Sequence, residues 1–515
     1  MSAQKTTFDW GLIVSYLALV VIGWMAIYSA DFDPEHAEIY YQGRSYGRQF
    51  IFILFSLGIA FLIQIMDTRF YTAFAYIIYA LAMLLLIATL FIGAEISGSK
   101  SWIRLGGGFN LQTAELAKFA TCLGLAKYLS SLNVSLTQQR ERIIAAAVVL
   151  LPAFLILLQG DAGSAVVFGA LILVLYREGL SGGFLLLGVL MIILFIASLL
   201  TSYQLVLGVV ASISLLILLR QHKFSNNELF IVGTVLLLSA LFFYYVPLSP
   251  LIIIGLVILE FLSLLAVVYL RKMGRGVFEI LSFLLVSLLI GLVIAYQLAP
   301  VTALIIFAIL GIGSLSLALA ARSYGFGLIT FLVCCTIYIQ GVDYLYQNIL
   351  EPHQQNRIAI ILGLVEDNRG IGYNLNQSKI AIGSGGIWGK GFLQGTQNKG
   401  SFVPELNTDF IFCTLGEEFG FMGSVILIGL FIFMLMRVIE IAERQQSKFS
   451  RVYGYGVASI IFCHFAINLG MTMGLVPVIG IPLPFISYGG SSLIGFTILV
   501  FILVKLDSER LMYLR

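Results

Sequence analysis

Apolar runs long enough to cross a bilayer recur along this chain from residue 10 to residue 506. In hydrocarbon every backbone N–H and C=O must find its partner inside the protein, which leaves only helices and closed barrels. Barrel strands need about 9–11 residues and spanning helices about 20; these runs have the helical length. They predict spans near 10–29, 50–66, 71–94, 113–131, 143–159 and 164–177. A dense block follows at 182–200, 204–219, 228–246, 250–270, 276–296, 300–321 and 325–342, then 411–436, 453–476 and 489–506. The expected fold is therefore an all-α polytopic membrane protein with about sixteen transmembrane helices. Composition agrees, because 60% of the 515 residues are hydrophobic and 11% charged, against roughly 25% charged in soluble domains.

Charge orients these spans. With the N-terminus inside, most of the 29 Lys and Arg residues fall in inner turns, among them Arg69, Arg140, Arg142, Arg177, Arg437 and Arg444. This positive-inside bias predicts that both termini are cytoplasmic and that the longest polar loop is on the outer face. There is no ATP pool outside, which argues against a nucleotide-driven enzyme. The net charge of +3 and the lack of a basic tail argue against nucleic acid as a partner. The five cysteines stand in apolar stretches without metal-ligand spacing and read as core residues. MSAQKTTFDW carries no cleavable signal, so the first apolar run reads as a retained helix.

The longest stretch too polar to cross a bilayer runs from Asp343 to Gly420. It contains Tyr373, Trp388, Phe392 and Phe402 as packing material, with Gly and Asn for turns, and reads as a folded functional loop. Inside it, GSGGIWGKG (383–391) lacks the Walker A spacing. It serves either as turns or as a backbone cradle for a diphosphate with Lys390. Glu405 and Asp409 are four residues apart, and Asp409 opens an apolar run. Asp409 is either a favourable charge at a helix start or a carboxylate placed to take a proton from a sugar hydroxyl.

Other candidates lie elsewhere in the chain. Trp102 suits a membrane interface, and Glu115 and Lys118 share a helix face as a salt bridge, either structural or coupled to a cavity. Asp161 reads as a helix cap. Glu260 and Glu279 are acidic residues within the apolar middle block, and Glu260 is either a structural acid or part of an ion path. The run NLGMTMGLVPVIGIPLPFISYGGSSL (468–493), with Pro477, Pro482 and Pro484, cannot form a regular helix and reads as a re-entrant segment closing the site.

WIRLGGGFNLQTAELAK, GIGYNLNQSKIAIGSGGIWGKGFLQGTQ, FVPELNTDFIFCTLGEEFGFMGS and GLVPVIGIPLPFISYGGSS resemble the motifs of the SEDS family (shape, elongation, division, sporulation). The likeness is loose over 8–177 and close over 340–506, and the GKGFLQGTQ and FVPE wording is nearest the elongation branch. The resemblance implies a core of ten helices, read here as 1–181 and 322–515, interrupted by an inserted membrane block at 182–321. The outer loop would be 343–410 and the re-entrant segment 474–492. Two departures stand out: the family's Q-P-D is Gln159-Gly160-Asp161 and its QPSE is Gln112-Thr113-Ala114-Glu115.

What the resemblance implies about function is a peptidoglycan glycosyltransferase that polymerises lipid II during cell elongation. It would act on the outer face of the bacterial cytoplasmic membrane, beside a class B penicillin-binding protein and the elongation machinery. Asp409, in Thr408-Asp409-Phe410, would be the catalytic base. Trp102, Arg104, Glu115, Lys118, Arg357, Lys390 and Glu405 would bind or support substrate. A divalent metal (Mg or Mn) and no organic cofactor would be expected. A lipid II flippase, a division-type polymerase and a non-catalytic scaffold are the alternatives.

Overall fold

The computed structural model describes residues 8–36, 38–96, 99–104, 110–132, 134–200, 371–396 and 405–510, with isolated positions between 206 and 359. The chain divides into two compact units: 1–185 with 356–515, and 186–355. The division therefore begins four residues later and ends 34 residues later than the expected insert at 182–321. The expected spans from 204 to 342, and with them Glu260, Glu279 and the role of the insert, lie outside the described residues, as does Arg357.

Among the described residues eight helices are long and apolar enough to cross a membrane. The N-terminal half of the first unit holds α1 (Trp10–Ala30), α2 (Ser45–Ile65), α3 (Thr68–Ile92), α4 (Thr113–Leu129) and α5 (Gln139–Leu158). The expected span at 164–177 is instead two short helices, α6 (Ala162–Gly169) and α7 (Ile172–Arg177). α8 (Gly182–Leu200) begins at the end of this unit and runs on into the other. α9 (Ile371–Ser384), α10 (Ile411–Glu443), α11 (Lys448–Met473) and α12 (Gly490–Ser508) complete the first unit.

Burial sorts these helices into an interior and a lipid face. α4, α11 and α12 form the centre, where Lys118, Tyr453 and Phe496 are fully enclosed. α4 is rich in small residues; Ala114, Ala117, Ala120 and Ala126 are all buried. Small side chains let helix backbones approach where no hydrophobic effect separates protein from lipid. By contrast α2 exposes Leu54, Phe55, Phe61 and Leu62, and α5 exposes Leu150, Phe154 and Leu157. In a helix bundle of this composition those faces meet acyl chains.

Two elements depart from the sequence expectation. A three-stranded antiparallel sheet, β1 (Ala94–Ile96), β2 (Ser99–Arg104) and β3 (Asn110–Gln112), interrupts the helices. Its register sets Trp102 opposite Gln112 and Arg104 opposite Asn110. Pairing there satisfies backbone groups that a loop at the membrane edge would leave bare. The second element is α9, inside the stretch expected to be loop. Its Leu375, Ser378 and Ala381, three apart, are buried, and Ser378 Oγ donates to Thr472 O at 2.7 Å.

The first unit has two chemically different ends. At one, Asp9 caps α1 by accepting from Leu12 N at 3.0 Å and receives Arg437 at 2.5 Å and Arg444 at 2.9 Å. Arg444 also pairs with Asp507, which binds Gln445 Nε2 at 2.9 Å and Arg510 at 2.7 Å. The starts and ends of α1, α10 and α12 thus meet there, near both termini. At the opposite end of α1, Ser29 Oγ donates to Glu418 at the beginning of α10. Asp409 belongs to this second end.

Candidate active site

Residues 405–410 form turns rather than a helix, and α10 starts only at Ile411. Glu405 sits at φ 54, and its carbonyl accepts from Thr408 N at 3.2 Å. The helix cap position is Phe410, without a side-chain cap hydrogen bond, so Asp409 precedes α10 and is not its N-cap. Its side chain is half-buried and Glu405 is exposed.

Three successive carbonyls of this turn are clamped from outside. Tyr488 N donates to Asn407 O at 2.8 Å, Ser487 Oγ to Thr408 O at 2.6 Å, and Asn468 Nδ2 to Asp409 O at 2.9 Å. Two of the donors come from the proline-rich segment, read here as a strap over 475–489, and the third from α11. The strap lies directly against the carboxylate. A Cβ added at Gly480 would stand 3.3 Å from Asp409 Oδ2, and Gly480 adopts φ +71, a conformation open to glycine at little cost. The strap is also pressed onto α1 and α6: a Cβ at Gly23 would meet Ile486 Cα at 2.5 Å, and one at Gly163 would meet Ile479 O at 2.4 Å. The segment expected to be re-entrant is irregular; Ile481 and residues 483–487 are buried in protein, whereas Leu475 and Gly480 are exposed.

Behind the strap lies a buried polar chain. Lys118 Nζ binds Glu115 Oε1 at 2.7 Å and His464 Nε2 at 2.8 Å, and His464 Nδ1 meets Pro482 O at 3.1 Å. The Glu115–Lys118 pair read from the sequence is therefore present, buried and in contact with the strap through a histidine. Asp161 caps α6 by accepting from Ser164 N at 2.9 Å, and it also accepts from Gln112 Nε2 at 2.9 Å. The strap's exit is tied to the sheet: Ser491 Oγ donates to Asn110 O at 2.7 Å and accepts from Gln112 N at 3.1 Å. Trp102 and exposed Arg104 lie on β2, which pairs with the β3 strand tied to the start of α12.

Lys390 and the glycine loop pack against the start of α10. Glu417, fully buried, accepts from Lys390 Nζ at 2.6 Å and from Thr396 N at 2.8 Å. Lys390 N and Gly391 N donate to Glu417 O and Glu418 O at 3.0 and 2.9 Å. Phe421 N and Met422 N return bonds to Gly386 O and Ile387 O at 2.9 and 3.0 Å. The loop thus pairs with α10 where that helix breaks at Gly420 (φ 64, ψ −158). A Cβ at Gly389 (φ +80) would lie 2.0 Å from Glu418 O, so the crossing demands glycine.

Outside the spans, Arg44 bridges Asp33 at 2.6 Å and Asp31 at 3.4 Å. Its hydrogen bond holds the Asp33 carboxyl below the ordinary range. Asp31 also accepts from Ser45 N at 2.7 Å, fixing the start of α2 beside Asn407, whose Nδ2 reaches Ser45 Oγ at 3.4 Å. Among the described residues no group of three or more His, Cys, Asp or Glu side chains forms a metal cage. His464, Asn468 and Ser487 were not singled out in the sequence. The available signal was a His and an Asn four apart in an otherwise apolar run, hence on one helix face.

The family model FTSW_RODA_SPOVE, described as cell cycle protein, matches residues 10–231 and 202–511. The peptidoglycan glycosyltransferase RodA of Treponema pallidum (strain Nichols) is 29% identical over 504 residues, 98% of each chain. The peptidoglycan glycosyltransferase MrdB of Escherichia coli (strain K12) is 48% identical over 146 residues, 28% of this chain and 40% of its own. A solved chain from work titled "Structural coordination of polymerization and crosslinking by a peptidoglycan synthase complex" superposes with a TM-score of 0.54 at 22% identity over 98% of both chains. Taken with the helical bundle and the long apolar spans, the family match makes this chain a multi-pass membrane protein of the FtsW/RodA/SpoVE family.

Proposed function

We propose that this chain is a peptidoglycan glycosyltransferase of the elongation type, polymerising lipid II on the outer face of the bacterial cytoplasmic membrane. The observation that carries the reading is the Asp409 turn: a half-buried carboxylate, with three consecutive carbonyls clamped, where loop, strap and α10 meet. Asp409 accepts the proton of the acceptor GlcNAc 4-hydroxyl, and the acceptor's 4-oxygen forms a bond to the anomeric carbon of the donor MurNAc. The bond from that carbon to the lipid diphosphate breaks with inversion, and the diphosphate departs. A glycosidase needs a second carboxyl to protonate a poor leaving group; a diphosphate leaves without one. Mg or Mn carried by the diphosphate would neutralise its charge, a mode needing only one or two carboxylates plus phosphate oxygens.

The face assignment follows from charge. The Arg-rich end with Asp9 and Asp507 suits the cytoplasm, which leaves Asp409 outside. A class B penicillin-binding protein is the proposed partner. The test is the purified chain in detergent micelles with lipid II and no partner's transpeptidation. A polymerase makes glycan strands there; lipid II left unpolymerised in micelles, with and without the penicillin-binding protein, would contradict the reading and favour transport or scaffolding.

A further inference from the structure

Asn468 has a geometry that packing alone does not explain. It is fully buried, and its Nδ2 donates to two carbonyls, Asp409 O at 2.9 Å and Ile481 O at 2.7 Å. Two carbonyls can only be met by the two hydrogens of an amide nitrogen, which settles the side-chain orientation. Among the described residues Asn468 Oδ1 has no hydrogen-bond partner. An apolar residue would avoid that penalty, so the amide is kept for what its nitrogen joins: the Asp409 turn and the strap.

One turn earlier on the same face of α11, His464 addresses the next strap residue. A Lys ammonium can only donate, so His464 Nε2 accepts from Lys118 and Nδ1 carries the hydrogen. Nδ1 then donates to Pro482 O at 3.1 Å. Residues 480–482 therefore meet, in order, Asp409 Oδ2 beside Gly480, Asn468 at Ile481 O and His464 at Pro482 O.

We propose that Asn468 and His464 are positioning residues for glycosyl transfer, which set the Asp409 carboxylate by fixing its carbonyl and the 480–482 strap against it. Lys118, anchored by Glu115, holds the imidazole in the tautomer that can donate to Pro482. This inference rests on the reading of Asp409 as the base. Neither side chain touches the reacting atoms; each acts through the position of the carboxylate. A misplacement of about 1 Å can cost about 10²-fold in rate.

The experiment uses the full chain in detergent, with lipid II titrated to separate kcat from KM, and thermal midpoints recorded alongside. Asn468→Leu keeps the volume and removes both donors. It should lower kcat about ten- to a hundredfold with KM within about twofold, since binding contacts are intact. His464→Leu should do the same. His464→Asn, whose amide nitrogen sits where Nδ1 was, should recover most of the lost kcat. If Asn468→Leu does not fold, the two His464 variants decide. A kcat for Asn468→Leu within about twofold of wild type, or equal losses in His464→Asn and His464→Leu, would overturn the proposal. Asp409→Asn measured in parallel keeps the two ideas apart. If it is inactive while Asn468→Leu is not, only the positioning role falls; if it is active, the base assignment falls first.

Discussion

Both ends of the first unit carry ion pairs, Lys390–Glu417 and Arg44–Asp33 at one and Arg437–Asp9 and Arg444–Asp507 at the other, but the Asp409 end adds a row of donors clamped onto successive backbone carbonyls. At the Asp9 end, side chain meets side chain: Arg437 and Arg444 on Asp9, and Arg444, Arg510 and Gln445 on Asp507. At the Asp409 end, donors from Asn468, Ser487 and Tyr488 hold backbone carbonyls, and backbone crosses backbone at Gly389 and Gly420. Charge pairs tolerate small shifts because Coulomb energy falls off gently with distance. Hydrogen bonds to fixed carbonyls do not, because they weaken steeply with angle. An end that only has to hold helices together can use the first kind. An end that must keep one carboxylate in place needs the second.

The two ends should respond most differently to added volume. Gly389→Ala puts a methyl 2.0 Å from Glu418 O at φ +80. Strain and overpacking together should cost about 3 kcal/mol or more, seen as a large fall in thermal midpoint or loss of folded protein. At the other end, Gly11→Ala meets only the flexible Arg437 side chain at 3.1 Å and Asp9 Oδ1 at 3.3 Å. That variant should melt close to wild type. Equal damage from both would show that the two ends are built alike.

Removing charge at the Asp9 end should cost stability rather than activity. Asp507→Asn loses its pairing with Arg444 and Arg510 while its carboxylate site is almost wholly enclosed. The expected loss is about 1.5–3 kcal/mol of stability, below the ~3–5 kcal/mol of a fully buried pair, because Arg444 is 32% exposed. Polymerisation per folded molecule should stay within about twofold.

A smaller, pH-dependent effect belongs to Asp9. Burial pushes its carboxyl up, but the Arg437 hydrogen bond, the Leu12 N–H and the charges of Arg437 and Arg444 together hold it below its ordinary 3.8. A carboxyl lowered on folding contributes stability that is complete above its unfolded value and lost as pH falls through its folded value. Asp9→Asn still caps α1, so wild type should exceed it in thermal midpoint near neutrality. The gap should close as pH drops below about 4. A gap that widens in acid would reverse the sign. The smallest effect is expected for Glu405→Gln, which keeps an acceptor for Thr408 Oγ1, now 3.2 Å from Oε2. Its polymerisation rate should remain within about threefold of wild type, ~0.65 kcal/mol in barrier; a loss of a hundredfold would make Glu405 part of the chemistry.

How much of this was readable in advance follows from residue patterns. Long spans such as Trp10–Ala30 and Lys448–Met473 announce themselves because twenty apolar residues have few other homes. α9 did not, since Asn374, Asn376 and Gln377 mask the buried spacing of Leu375, Ser378 and Ala381. Strands of three residues, β1 and β3, are shorter than any pattern that distinguishes them from loop. Glu115 and Lys118 were legible as a pair because three residues make one helical step. Their link to His464 was not, because it joins residues 346 apart in sequence. The glycine loop was legible as turns, but its crossing with α10 was not, because spacing does not show which backbone the glycines meet.

If the Asp409 end carries the proposed chemistry and the Asp9 end holds the bundle, the two aspartates respond differently to the same change. The most direct measurement is lipid II polymerisation by Asp409→Asn and Asp507→Asn side by side, each with its thermal midpoint. Asp409→Asn keeps size and its carbonyl clamp, so it should fold yet lose about 10²–10⁴ in rate per folded molecule, the contribution of a positioned base. Asp507→Asn should melt lower and polymerise at nearly the wild-type rate per folded molecule. Polymerisation by Asp409→Asn within about threefold of wild type, ~0.65 kcal/mol in barrier, would show that Asp409 is not the base.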